Sequence, residues 1–158
     1  MGRAKPFKNG YLLIAIMVVS MMTVFTLGQQ PASAPDAQTL KMLSIAESQH
    51  EIVQLLIQKG EYEKALDEYR AILDLKLPAV YDEAVFKEIV IVARKFYDAN
   101  QKELAYQALD LGFDRLRSTD LKAKILSVKA GLLKKDGRIE RAIETYKKEI
   151  ELREKQIR

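Results

Sequence analysis

The sequence predicts an all-α fold: three helical hairpins in a short solenoid, preceded by one apolar N-terminal helix. Three observations predict it. The composition is 48% hydrophobic and 30% charged, with four Pro and no Trp, and it is dominated by Ala, Leu, Glu, Lys and Ile, which favour helix. The phrase Gly60-Glu61-Tyr62-Glu63-Lys64-Ala65-Leu66-Asp67-Glu68-Tyr69 returns as Gly137-Arg138-Ile139-Glu140-Arg141-Ala142-Ile143-Glu144-Thr145-Tyr146. Each copy follows a pair of polar residues, Lys59 after Gln58 and Asp136 after Lys135. Two copies of one phrase in a short chain mark a helical repeat array.

Residues 1–10 form a basic N-terminal stretch carrying Arg3, Lys5 and Lys8. Residues 11–28 follow as an apolar segment, in which Tyr11–Leu27 is 17 residues without a charge. As a helix that run spans ~25 Å against a hydrocarbon core of roughly 30 Å. Apolar all round, it reads as a transmembrane signal-anchor. Cleavage of a signal peptide after Ala34 or Gly28 is the alternative, with Pro35 unfavourable just beyond the first site. The bases precede the apolar run and none lies between Tyr11 and Lys41. The N-terminus is therefore expected in the cytoplasm and the folded part on the exported side, as in a bacterial inner membrane and periplasm. Residues 29–35 read as a short Pro-containing linker.

Residues 36–158 hold the array. Asp36 is placed to cap a helix running to Lys59, with Met42, Ile45, Gln49, Ile52, Val53 and Leu56 on one face. Gly60 ends it, and an antiparallel partner runs to about Lys76 before Leu77-Pro78 stops the chain. A second hairpin spans Asp82–Asp98 and Lys102–Leu116, turning at Ala99-Asn100, where Asn stands in for a left-handed Gly. Ser118-Thr119-Asp120 breaks the chain, and Leu121–Lys135 with Arg138–Lys155 complete the third. The long, charged last helix is expected to close the array with a polar face.

The pattern resembles the tetratricopeptide repeat. Its first half appears as Gln49, Ile52, Val53 and Leu56, then Ile89, Val92, Ala93 and Phe96, then Leu126, Lys129, Ala130 and Leu133. Its second half appears as Ala65 and Tyr69, Ala105 and Leu109, and Ala142 and Tyr146. The copies cover about residues 45–78, 86–119 and 123–156. The chain departs from the family in having no Trp, in placing Lys129 in an apolar slot, and in a displaced Pro78. Extra residues between copies predict an opening of the array at Pro78–Asp82. The three alanines mark where paired helices approach most closely.

Charge is distributed unevenly. Residues 36–114 carry 15 acids and 9 bases, whereas residues 115–158 carry 14 bases and 7 acids. This bipolarity, rather than the formal charge of +4, describes the surface. With no Cys and a single His, thiolate metal sites and most His-based triads are excluded. There is no Gly-rich phosphate loop, no H-E-x-x-H and no G-x-S-x-G. No catalytic, metal or cofactor site is expected, and no nucleic acid. His50, beside Glu47 and Glu51, reads as an ordinary half-exposed histidine, with a pH-sensitive contact as the alternative.

By similarity to the family, partner binding falls to a concave groove lined by the first helix of each hairpin. It would contain Glu47, His50, Gln54, Ile57 and Gln58; Lys87, Val90, Arg94, Tyr97 and Asp98; and Lys124, Ser127, Gly131, Lys134 and Lys135. Five bases against two acids in that set suit an acidic segment or a C-terminal carboxylate. A solvated polar face is the alternative. The resemblance implies a membrane-anchored, non-enzymatic protein-interaction scaffold or assembly factor, or else a permanent subunit of a membrane complex.

Overall fold

A computed structural model describes residues 35–157, and these are all-helical. The expected membrane segment, residues 11–28, and the linker before Pro35 lie outside the described residues. Among the described residues no helix is long and apolar enough to cross a membrane.

Six α-helices follow one another: α1 (Ala37–Lys59), α2 (Tyr62–Asp74), α3 (Asp82–Asp98), α4 (Lys102–Arg115), α5 (Thr119–Lys135) and α6 (Ile139–Ile157). They pair as three hairpins, α1 with α2, α3 with α4, and α5 with α6. Asp36 caps α1 by accepting from the Thr39 N–H at 2.7 Å. That bond holds the Asp36 carboxyl below its ordinary value and satisfies one of the free donors of the first turn.

All three hairpin turns share one backbone design. Gly60, Asn100 and Gly137 have φ of 78°, 61° and 72°. Each donates its N–H to the carbonyl three residues back, and the next residue donates to the carbonyl five back. The pairs are Gly60 to Ile57 and Glu61 to Leu56, Asn100 to Tyr97 and Gln101 to Phe96, Gly137 to Lys134 and Arg138 to Leu133. This is the Schellman closure, which needs a left-handed residue and so selects Gly or Asn. The following helix then starts with Ala65, Ala105 and Ala142 bonding to Glu61, Gln101 and Arg138. The hairpins therefore share a register fixed at the turn.

The alanines of that register are buried, as are Tyr69 and Leu109, while Tyr146 is half-buried. Ile89, Val92, Ala93 and Phe96 are 0% exposed and form the centre of the core with Val53, Ala105 and Leu109. Gly112 lets α4 approach α3 closely: a Cβ there would lie 2.6–2.7 Å from three side-chain atoms of Ile89. No real contact is that short, so only glycine fits without displacement of Ile89.

Several boundaries and faces differ from the sequence expectation. Helix α2 stops at Asp74, and Lys76 takes a positive φ of 51°. A 3-10 turn, Ala79–Tyr81, occupies the stretch after Pro78. Helix α5 starts earlier, at Thr119, with the Ser118 hydroxyl accepting from the Leu121 N–H at 3.3 Å. On α1, Ile45 and Ile52 lie outward, 39% and 43% exposed, because the core takes only the Val53 edge of that face. Helix α6 has a charged outer face that also carries apolar residues. It exposes Ile139, Ile143, Ile150 and Ile157 by 46%, 51%, 55% and 86%.

Lys129 does fit its apolar slot. Its side chain is 14% exposed and its ammonium bonds both Asp110 oxygens, at 2.6 and 2.8 Å. The aliphatic stem packs while the head finds a carboxylate on the preceding hairpin.

Candidate functional site

The first helices α1, α3 and α5 present the side chains singled out from the sequence. On α3, Lys87, Val90, Arg94 and Tyr97 recur at helical spacing and so share a face. Lys87 and Arg94 are exposed, Val90 and Tyr97 half-buried. On α5, Lys124, Ser127, Gly131, Lys134 and Lys135 share the corresponding face, with Gly131, Lys134 and Lys135 exposed. The backbones of α3 and α5 come within 8 Å of each other. The two faces are joined where the Lys135 ammonium sits 5.0 Å from the centre of the Tyr97 ring.

That join is built on Asp136, whose side chain is 2% exposed. Its Oδ1 accepts from the Tyr97 hydroxyl at 2.7 Å and the Lys102 ammonium at 2.6 Å, and its Oδ2 from the Tyr106 hydroxyl at 2.5 Å. Burial alone would raise the Asp136 carboxyl. The Lys102 ammonium and the two phenols outweigh burial and hold it at about 2. Burial and the same carboxylate push the Tyr106 phenol upward. Lys102 lies 5.7 Å from the Tyr97 ring centre, and the Arg138 and Arg141 guanidiniums lie 5.3 and 5.8 Å from that of Tyr106. One buried carboxylate and two rings thus gather four cationic side chains, counting Lys135, at one end of the face.

At the other end, His50 on α1 bonds through Nδ1 to Glu88 on α3, and its Nε2 lies 3.1 Å from the Gln54 amide nitrogen. In the neutral ring Nδ1–H donates to the carboxylate and Nε2 accepts from Gln54. The Glu88 hydrogen bond raises the His50 value against the opposing effect of burial, with further raising by the charges of Glu88 and Glu51. Lys95, nearby, is lowered by burial. The His50–Glu88 contact ties α1 of the first hairpin to α3 of the second. Arg115 of α4 also pairs with Asp74 of α2.

The predicted residues therefore separate into two sets. His50 is held by Glu88, Tyr97 by Asp136, and Lys124 by Asp120 at 2.8 Å. Lys87, Arg94, Lys134 and Lys135 form no ion pair among the described residues, and neither does Glu47. Gly131 shares the α5 face with Lys134 and Lys135 and has nothing within 4 Å of where a Cβ would stand. Sequence reasoning missed Glu88, Lys95, Lys102, Tyr106 and Asp136. Only Asp136, next to the left-handed Gly137, carried a local signal, and its partners are 30 to 39 residues away.

A depression of about 350 Å³ lies elsewhere, between α4, α5 and α6. It contains the Asp110–Lys129 pair with Phe113, Leu152 and Lys155. Among the described residues no cluster of three or more His, Asp or Glu could hold a metal ion.

No family model matches this chain, no curated protein is significantly similar to it, and no solved structure matches it significantly.

Proposed function

We propose that the protein is a membrane-anchored, non-enzymatic interaction module of tetratricopeptide type. Its α1, α3 and α5 face would receive an acidic segment or C-terminal carboxylate of a protein partner. Three hairpins in one register support the repeat reading. Residues 1–34, with their uncharged run, support an anchor with the array exported.

The observation that carries the binding proposal is Gly131 among unpaired cations. Glycine inside a helix costs about 1 kcal/mol relative to alanine, and Gly131 offsets that cost by no packing contact. At Gly112 the neighbouring Ile89 explains the glycine. At Gly131 nothing among the described residues does, whereas a partner backbone lying close to α5 would. Lys87 and Arg94 on α3 and Lys134 and Lys135 on α5 are exposed and have charge to offer, and solvent-exposed ammonium and guanidinium groups recognise carboxylates at modest desolvation cost.

In-cell photocrosslinking tests this. A photoreactive residue at Arg94 or Lys134 should yield one discrete partner adduct, while the same residue at Lys64, exposed on α2, should not. Equal adducts from all three positions, or none from the groove positions, would remove the groove from the account.

A further inference from the structure

The second helices of the three hairpins share a register but not an environment. Six and nine residues after the left-handed turn stand Leu66 and Tyr69 in α2, Tyr106 and Leu109 in α4, and Ile143 and Tyr146 in α6. The first four are at most 2% exposed, whereas Ile143 is 51% exposed. Thirteen residues after the turn, Leu73 is 6% exposed and Ile150 is 55% exposed. Helix α6 thus carries the apolar residues of a stacking face on which no hairpin is stacked among the described residues. The opposite end of the array shows the counterpart. Ile52 on α1 is 43% exposed, while Val92, at the same place in α3, is 0% exposed.

The junction of the second and third hairpins shows how such faces meet. There α5 lies on α4, and the Lys122 ammonium sits 5.2 Å from the centre of the Phe113 ring. Lys122 stands 15 residues before Gly137, as Ile45 stands 15 before Gly60. Phe113 stands 13 after Asn100, as Ile150 stands 13 after Gly137. If α1 of another copy took the place of α5, exposed Ile45 would meet exposed Ile150. The charges agree, since residues 36–76 carry 8 acids and 5 bases and residues 119–158 carry 12 bases and 7 acids.

We infer that this chain associates head to tail with a second copy, α1 of one stacking on α6 of the other. The inference rests on the ends of the array and is independent of the groove. The contact is heterologous, so it propagates into an open row of copies unless a partner stops it. A two-fold contact of α6 with α6 would instead bring two basic hairpins together.

The chain has no cysteine, so introduced cysteines report directly. Full-length chains carrying Ile45→Cys or Ile150→Cys are purified in a mild non-ionic detergent and oxidised separately and mixed. Both positions are exposed, and circular dichroism checks that each variant stays folded. Head-to-tail association predicts a disulfide-linked dimer in the mixture alone, and a ladder from the chain bearing both changes. Crosslinking of the Ile150→Cys chain by itself at the rate of the mixture would replace the inference with a two-fold contact. No crosslink in the mixture, with a monomer by light scattering, would overturn it.

Discussion

The two junctions between hairpins are built differently. At the first, α2 packs on α4, and the backbones of α1 and α3 hardly approach each other. The His50–Glu88 pair spans the gap, and the Tyr69 hydroxyl is buried without a hydrogen-bond partner. At the second, α5 lies against both α3 and α4, and its turn carboxylate, Asp136, is satisfied three times over. The connecting segments account for the difference. Residues 75–81 include Lys76 at positive φ, Pro78 and a 3-10 turn, whereas residues 116–118 make a tight link. There the Arg117 N–H bonds Asp82 at 3.3 Å, tying the link to the start of α3. Short links force first helices together, and a long one lets them part until a side-chain pair bridges them. The first junction is thus the adjustable one, and the second fixes the cation-rich end of the α3 and α5 faces.

The largest test strikes the second junction. Asp136→Ala leaves the Lys102 charge and two phenols without their acceptor. We expect a loss of about 3 kcal/mol, measured by urea unfolding. The same group predicts acid sensitivity. The Asp136 value is lowered in the fold, from 3.8 to about 2, so its contribution is complete above the unfolded value. It is lost as pH falls from 3.8 toward 2, and the alanine variant should lack that portion of the acid transition. A change under about 0.5 kcal/mol, the range of surface substitutions, would mean the hub is incidental.

Gly112→Ala comes next. The added Cβ meets Ile89 at 2.6 Å, and overpacking of about 1–3 kcal/mol is offset in part by roughly 1 kcal/mol of helix propensity. A net loss of up to about 2 kcal/mol is expected, with recovery when Ile89→Val is added. Additivity of the two changes in a double-mutant cycle would contradict the contact. Gly131→Ala, on the open face, should do the reverse and stabilise by about 0.5–1 kcal/mol, because no neighbour opposes the Cβ. Destabilisation there would show that the face is not open.

The smallest effect belongs to the first junction. The His50 value is raised above 6.5 by Glu88. Its contribution is therefore full below pH 6.5 and is lost as pH rises through the raised folded value. The wild-type urea midpoint should fall over that interval by the equivalent of about 1 kcal/mol or less, and His50→Gln should flatten the decline. An unchanged slope in the variant would place the titration elsewhere.

Much of this architecture was readable from residues. Helical periodicity named Ile89, Val92, Ala93 and Phe96 as core, and the recurring turn phrase put Gly60, Asn100 and Gly137 in register. These are local signals, carried by the spacing of apolar residues and by the need for a left-handed residue. What escaped depends on tertiary contact. Nothing near His50 in sequence points to Glu88, and nothing near Asp136 points to Tyr97, Tyr106 and Lys102. The faces of α1 and α6 were misjudged for the same reason. An amphipathic stripe shows that a face is apolar but not whether a neighbour covers it, and Ile45, Ile52, Ile143 and Ile150 are exposed among the described residues.

Binding to the α3–α5 face bears most directly on the functional account. Titration of the full-length chain with a fluorescent acidic peptide, with and without the pair Lys134→Glu and Lys135→Glu, measures it at two salt concentrations. The account predicts saturable binding that weakens with salt and falls by at least about tenfold in the variant, the equivalent of roughly 1.4 kcal/mol. Equal affinity of both proteins for the peptide would contradict it.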